Sequence, residues 1–501
     1  MNKDTEIDMK EVELNELDPE KQPMTGDGQA PGGEKNGSVK LKVPDDEVTF
    51  TGLSKDELMK VAGTPGWVRT RWVLLVLFWL GWVGMLAGAI VIIVQAPRCK
   101  PIPEMSWWNE GPLYQITDVK AFSEGLKGVA DKLDDLNQLK VKGLVIGPLH
   151  TVQANEITGL DLQSISPDRG TEEELLAVLE KAHKKSISVV LDLTPNYLGS
   201  NVWFDDAKTG EMIDRIKAAA EYWLGKGFDG IKIPDLIMAA STPEWPKLQL
   251  AVHANVTDNS KKRALMGVVE HVSAQVLSQL VNVSGISLTL SDLLSRESGG
   301  KERIMAMDTL HSQQRSVGWG LGAAQKDHLS KQATTTTLIR LYQLLLFTLP
   351  GTPVFTYGDE IGLQGNDTPK MVWNVEKEAP ESNQTDHADI RKWFRSLSDL
   401  RGKERSLLHG DYYSLASSPS SLCFLRLWDQ SERYITAVNW GKDGSEPVTL
   451  KLTPTDGVEL PETAKVKLSS TEDKQVDSMI KLNEITLKAG EAVLLQFPYT
   501  G

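Results

Sequence analysis

The sequence predicts an α/β protein behind a membrane anchor: a single transmembrane helix, then a TIM (β/α)8 barrel, then a C-terminal antiparallel β-sandwich. Three observations predict it. Residues 72–94, WVLLVLFWLGWVGMLAGAIVIIV, run 23 residues without a charge, long enough at ~1.5 Å per residue to cross a hydrocarbon core of ~30 Å. Past residue 110, eight short, continuously apolar runs alternate with stretches of helical period, the pattern of parallel strands covered by helices. After residue 405 that period gives way to short alternating runs separated by turn residues, as antiparallel strands require.

Composition bounds what the chain can do. Its 501 residues, 40% apolar and 24% charged, are globular in character, with room for about three domains at ~150 residues each. The formal charge of −14, from 68 acidic and 54 basic residues, argues against a nucleic-acid partner, because phosphate contacts need clustered Lys and Arg. Two cysteines are too few for a disulfide scaffold or a cysteine-rich metal site. The eight histidines show no ligand spacing, so neither metal nor cofactor is expected.

Residues 1–66 carry 15 acidic and 8 basic side chains and one aromatic residue, Phe50. Such a segment buries too little apolar surface to offset its ordering entropy, and it reads as a disordered acidic cytoplasmic tail, with a short helix over Ser54–Val61 before the membrane. Residues 67–98 form the span and its flanks. The apolar run starts too far from the N-terminus for a cleaved signal peptide and reads as a retained signal-anchor. Lys60, Arg69 and Arg71 before it outnumber Arg98 and Lys100 after it, which favours a cytoplasmic N-terminus. Four N-glycosylation sequons, at Asn255, Asn282, Asn366 and Asn383, all follow the span, and they favour an extracellular C-terminal region. Asn36, in a triplet on the other side, is expected to stay bare. The reading is a single-pass type II chain at the plasma membrane. Within the span, Gly84 and Gly88 form a GxxxG pattern that permits close helix approach in lipid. Trp79 and Trp82 supply indoles for packing on a neighbouring helix or for the interface.

Cys99 lies five residues past the span, in a neck of residues 99–110. Cys423, in the apolar run SSLCFLRLW, reads as a small buried hydrophobe. Cys99 is then the odd cysteine that points to a bond with another chain; a free thiol and a Cys99–Cys423 bridge are the alternatives.

The barrel is assigned to residues 111–405, with strand-like runs at 111–116, 143–148, 186–193, 230–235, 264–269, 286–292, 316–321 and 352–360. The helix after Gly170 shows the logic, since Thr171 and Glu174 form a capping box and Leu175, Val178, Leu179 and Ala182 share one face. Residues 406–501 hold SLCFLRLW, RYITAVNW, EPVTLKL and AVLLQF, the alternating runs of a sandwich.

Several segments resemble the α-amylase and α-glucosidase superfamily: LLLFTLPGTPVFTYGDEIGL (344–363), DLQSISPDRGTEEELLAVLEKAHKKSISVVLDLTPNY (161–197) and GFDGIKIPD (227–235). Retaining enzymes of this kind need a nucleophile and an acid. The resemblance places the nucleophile at Pro234, with Asp235 one residue out of register, and the acid at Val268, with Glu270 two residues late. VGWGLG (317–322) stands where the seventh-strand Asn-His-Asp belongs, and Tyr197 replaces the third-strand His. No catalytic residue is therefore assigned; Asp192, Asn196, Asp359 and Glu360 are expected to be structural, and the chain is expected not to be an enzyme. The extra domain that active relatives insert after the third strand is also missing.

An inactive glucosidase-like ectodomain, a type II anchor, an acidic tail and a lone juxtamembrane cysteine together resemble the heavy subunits of heteromeric amino-acid transporters. VAGTPGWVRTRW (61–72), the span with APRC, and KERSLLHGDY (403–412) favour the four-F-two cell-surface antigen type over the cystine-related one. The resemblance implies an ancillary, chaperone-like subunit joined through Cys99 to a multi-pass light subunit. Membrane lipid contacts the span, and the family adds a further role as an adhesion subunit through tail and span contacts with integrins. The remaining reading, a membrane-bound α-glucosidase, requires the two carboxylates that are absent.

Overall fold

A computed structural model describes residues 54–95, 99–254, 261–295, 300–321, 328–365, 368–374 and 382–499 apart from 454–458. The tail up to residue 53 lies outside the described residues. The chain divides into two compact units, one ending at Pro97 and the other beginning at Arg98.

The first unit holds two helices. The short one, Lys55–Ala62, is closed at its start by a capping box in which Ser54 N donates to Glu57 Oε2 (3.1 Å) and Glu57 N donates back to Ser54 Oγ (3.4 Å). Gly63 ends it, donating to Met59 O, and Pro65, whose missing N–H costs nothing at a first helical turn, opens the next. That helix, Pro65–Gln95, is 31 residues long, and none of its side chains is buried. By length and composition it can cross a membrane.

The second unit contains a closed barrel of eight parallel strands in sequence order: β1 Leu113–Ile116, β2 Gly143–Ile146, β3 Ser188–Asp192, β4 Gly230–Ile233, β5 Ala264–Val269, β6 Leu288–Ser291, β7 Val317–Trp319 and β8 Thr352–Thr356. The ring closes where Leu113 of β1 pairs with Val354 of β8. Each strand falls inside its predicted run, and each is buried along its whole length. The strict alternation of strand side chains sorts them into two cores. Val145, Val190, Met266, Val268, Leu290 and Val354 fill the inside of the barrel. Leu144, Ile146, Val189, Leu191 and Leu265 point outward against the helices.

The N-terminal end of the barrel is stoppered by the segment that precedes it. Trp107 and Trp108, edge to face with ring centroids 5.4 Å apart, belong to the inner core. Trp107 Nε1 donates to Lys262 O (2.8 Å), and Asn109 Nδ2 donates to Arg315 O and Thr352 Oγ1 (3.0 Å each). The end of the expected neck, residues 107–109, is therefore core rather than spacer, because two indoles fit the open end of a barrel better than they fit water.

The C-terminal strands are β9 Asp411–Ser418, β10 Ser421–Leu427, β11 Arg433–Asn439, β12 Val448–Lys451, β13 Thr463–Ser469, β14 Met479–Lys481, β15 Glu484–Leu487 and β16 Ala492–Phe497. Six make an antiparallel sheet in the order β14-β13-β16-β11-β10-β9, and β12 pairs with β15. Leu450, Ile485 and Leu487 of the two-stranded layer share a core with Cys423, Leu425, Val493 and Leu495 of the large sheet, so the sandwich is lopsided. The opposite face, with Leu422, Phe424, Tyr434 and Leu494, merges with the barrel's outer core. Barrel and sandwich are thus one packed body.

Candidate functional site

Two places concentrate the chemistry singled out in the sequence: the C-terminal mouth of the barrel and the start of the second unit at Cys99.

At the mouth, β3 ends in Asp192 and β4 carries Lys232 in the adjacent register position. Lys232 Nζ lies 2.9 Å from Asp192 Oδ2, with 1% and 5% of the two side chains exposed. The other carboxylate oxygen accepts from Thr194 N (2.9 Å) and Thr194 Oγ1 (2.6 Å). Asp192 is consumed by this pairing, since a buried carboxylate is tolerable only when matched and fully hydrogen-bonded. Pro234, next along the chain after β4, is buried, and Val268 sits in the apolar core of the barrel. Asp235 departs from its expected place on the far side of a strand. The strand stops at Ile233, and Asp235, at φ 33°, caps the helix Leu236–Ala240 by accepting from Met238 N (3.2 Å). Proline cannot continue a ladder, which is why the strand ends before it. Glu270 likewise lies just beyond β5.

The other polar positions singled out in the sequence are tied into loops. Asn196, fully buried, accepts from Asn155 N (3.1 Å) and donates to Asn201 O (2.6 Å) and Asn155 Oδ1 (3.2 Å). Tyr197 donates to His150 O (2.9 Å) and lies under Arg169, which donates to its hydroxyl (2.9 Å). Burial lowers the pKa of the His150 ring, whose Nε2 faces Pro195 O at 3.0 Å. Asp359 accepts from Leu329 N and Thr356 N (2.7 Å each), and burial pushes its carboxyl up to about 8. Glu360 accepts from Tyr114 Oη (2.9 Å), and burial raises it as well. These contacts join β8 to β1 and to the segment at Leu329.

At the start of the second unit Cys99 is exposed and its thiol is free, while Cys423 is free and fully buried. Burial pushes the Cys423 thiol up, leaving it a small apolar core group. A Cys99–Cys423 bridge is absent. The residue after Cys99 is fastened: Lys100 N donates to Asp429 Oδ2 (2.9 Å), and Lys100 Nζ lies 3.6 Å from Asp411 and 4.4 Å from the centre of the Trp428 ring. Sequence reasoning missed this clamp because its partners lie more than 300 positions away. A cleft of about 730 Å³ beside the neck, lined by Glu104, Trp107, Lys142, His183, Asp229 and Lys261, was equally invisible, since its walls come from the turns that precede several strands.

In the apolar helix, Gly84 and Gly88 have open space around the position of a Cβ. At about 100° per residue they share a face with Gly81, whereas Trp79 and Trp82 fall on the opposite half. Gly84 and Gly88 therefore form one surface, and the indoles another. Of the sequons, Asn255 and Asn366 lie outside the described residues, as does the side chain of Asn383, and Asn282 is exposed on the helix Ala274–Ser284. Among the described residues, no three His, Cys, Asp or Glu side chains gather as metal ligands.

The family model described as the Solute carrier family 3 member 2 N-terminus matches residues 38–114, and that of the Alpha amylase catalytic domain matches 117–215. The chain is 44% identical to the amino acid transporter heavy chain SLC3A2 of Mus musculus, over 100% of both sequences. To the heavy chain SLC3A1 of Rattus norvegicus it is 22% identical, over 89% of this chain and 86% of the relative. Among solved structures, the α-amylase of Geobacillus thermoleovorans, crystallised with acarbose, superposes with a TM-score of 0.57 at 17% identity, covering 78% of this chain and 99% of the other. That last likeness concerns the fold alone.

Proposed function

Because this chain belongs to the family of amino acid transporter heavy chains, with SLC3A2 relatives matching it from end to end, we propose that it serves as a disulfide-linked, non-catalytic chaperone and trafficking subunit. As a heavy chain it is an ancillary transporter subunit. Its partner is a multi-pass light subunit that forms the translocation path, and Cys99 makes the intersubunit bond. The observation that carries this reading is the contrast between the two thiols: Cys99 exposed, with Lys100 fastened beside it, and Cys423 sealed in the sandwich core. Binding only the native light subunit stabilises it by mass action, and the disulfide adds effective concentration rather than contact area. The sequons after the span support a type II plasma-membrane orientation with the ectodomain outside, and Gly84 and Gly88 supply the close-packing face in lipid.

The test is Cys99→Ser in the full chain. A non-reducing gel of the wild type shows a partner-sized shift that reductant abolishes; the variant lacks the shift, keeps the complex in mild detergent and delivers less transport to the surface. Complete loss of the complex in mild detergent contradicts the reading. Pro234 and Val268, at the positions where the resemblance puts the nucleophile and the acid, support the reading that the chain does not hydrolyse glycosides, and measurable cleavage of an α-glucoside by the purified protein overturns that part. Deleting residues 1–66 separates transport from adhesion signalling through integrins: transport survives and signalling falls.

A further inference from the structure

Beside the Lys100 clamp, the neck, the base of the barrel and the sandwich enclose a pocket of about 240 Å³, lined by Lys100, Arg315, Gly351, His409, Asp411 and Trp428 among others. Arg315 and Gly351 precede β7 and β8, so the pocket lies at the opposite end of the barrel from Asp192, Pro234 and Val268. Part of its wall is backbone that buried arginines hold. Arg401 donates to the carbonyl of Gly351, and Arg426 donates to that of Gly410 (2.9 Å), between His409 and Asp411. The two arginines are 2% and 0% exposed, and the Nε of each is buried without a hydrogen-bond partner. Among the described residues neither pairs with a carboxylate, nor does Arg315, whose carbonyl is the group that Asn109 uses.

Positive charge so placed is costly, because carbonyl dipoles replace only part of the hydration that burial removes. The guanidinium groups also act on one another: burial first, and then Arg401, pull Arg426 well below the usual arginine value, with Asp411 opposing. His409 feels the same field. Burial, and then the guanidinium groups of Arg405, Arg401, Arg315 and Arg426, hold its ring below the usual value. The carboxylates at the neck are already taken up by Lys100, whose N–H donates to Asp429 and whose ammonium lies 3.6 Å from Asp411. A concave wall dominated by one sign of charge concentrates the opposite sign from solution.

We infer that this pocket is a site for a small monoanion from solution, a halide or a short carboxylate, held between the side chains of Arg315, His409 and Lys100. The donors of the Arg315 guanidinium suit either ion. Arg401 and Arg426 stay behind the wall and act through their field rather than by contact. Asp411, on the same wall, disfavours a dianion by repelling its second charge. Lys100 comes from the neck, Arg315 from the barrel and His409 from the helix Arg405–His409 that leads into the sandwich, so one bound ion fastens three parts of the chain. The Lys100 clamp is thereby made anion-dependent.

In the test, the full chain in detergent is unfolded thermally at constant ionic strength while chloride or formate replaces a sulfonate too bulky for the pocket. Both anions are expected to raise the midpoint, by ~2 °C for each tenfold increase beyond half-occupancy. Arg315→Gln keeps the carbonyl that Asn109 needs, and it is expected to hold the midpoint seen in sulfonate while losing the rise. A crystal of the wild type grown with bromide is expected to show the anomalous signal of the ion within hydrogen-bond distance of Arg315 and His409. A rise that persists in Arg315→Gln overturns this pocket as its source. Bromide in the pocket without any rise is binding at crystal concentration only and overturns the site, and the absence of both overturns the inference outright. The complex with the light subunit separates two sources of the charge: a rise retained there supports an ion from solution, whereas a rise seen in the free chain and lost in the complex assigns the pocket to a carboxylate of the partner and overturns the free ion.

Discussion

Lys232 and Asp192 show, at the level of single residues, what holds the C-terminal mouth of the barrel together. Their 2.9 Å ion pair is almost wholly buried, and removing one partner leaves a charge without compensation. Lys232→Met is expected to cost about 3–5 kcal/mol, and pairing it with Asp192→Leu to recover much of that, as read by urea unfolding. Asp359 gives a pH signature. Its carboxyl, pushed up to about 8 by burial, titrates near ~3.9 when unfolded, so the folded chain holds the proton more tightly. That contribution to stability is complete below about pH 4 and is lost as pH rises through 8. Unfolding midpoints at pH 5 and pH 8 should therefore differ in the wild type and draw together in Asp359→Asn.

At the scale of elements, two buried arginines tie down the segment leading into β8, one from within the barrel and one reaching across from the sandwich. Arg401, on the helix Ser382–Lys403, donates to Phe347 O (2.6 Å), Leu349 O (3.0 Å) and Gly351 O. Arg426 of β10 donates to Thr348 O (2.7 Å) and Gly410 O (2.9 Å). The helix Thr336–Thr348 ends here, and its unpaired carbonyls and negative dipole end favour cations. Burial lowers Arg401 to about 10, which leaves it charged at neutral pH. Arg401→Met orphans three carbonyls and should cost about 3–5 kcal/mol; Arg401→Lys, with no planar fork, should recover little of it, as denaturant midpoints will tell. The same elements mark what the sequence made legible. All eight barrel strands were readable because parallel strands are apolar on both faces. β9, with only Tyr412 and Leu415 buried, and β13 to β15, with Lys465, Lys481 and Glu484 facing water, were not, since a half-exposed strand dilutes the apolar signal. At the mouth, Pro234 and Val268 could be read from their motifs, whereas the helix-capping role of Asp235 and the hold of Asp429 on Lys100 depend on tertiary geometry that no local pattern encodes.

For the whole molecule, the stopper at the base of the barrel sets where the second unit can be cut from the apolar helix. Trp107, Trp108 and Asn109 complete the inner core, so a chain starting at residue 99 should fold with an intact barrel, while one starting at residue 111 should melt well below it, as calorimetry of the two would register. The fastening of Lys100 has a mechanical meaning as well. Tension applied through the anchor travels along the backbone and reaches residue 100 first, where Asp429, Asp411 and Trp428 grip it. The load is passed to β9 and to the turn between β10 and β11 before it can tug on the indoles that seal the barrel. A pull along the backbone from residue 99 is therefore expected to stretch this surface clamp before it disturbs the indoles of the barrel, with the sandwich as the strain relief.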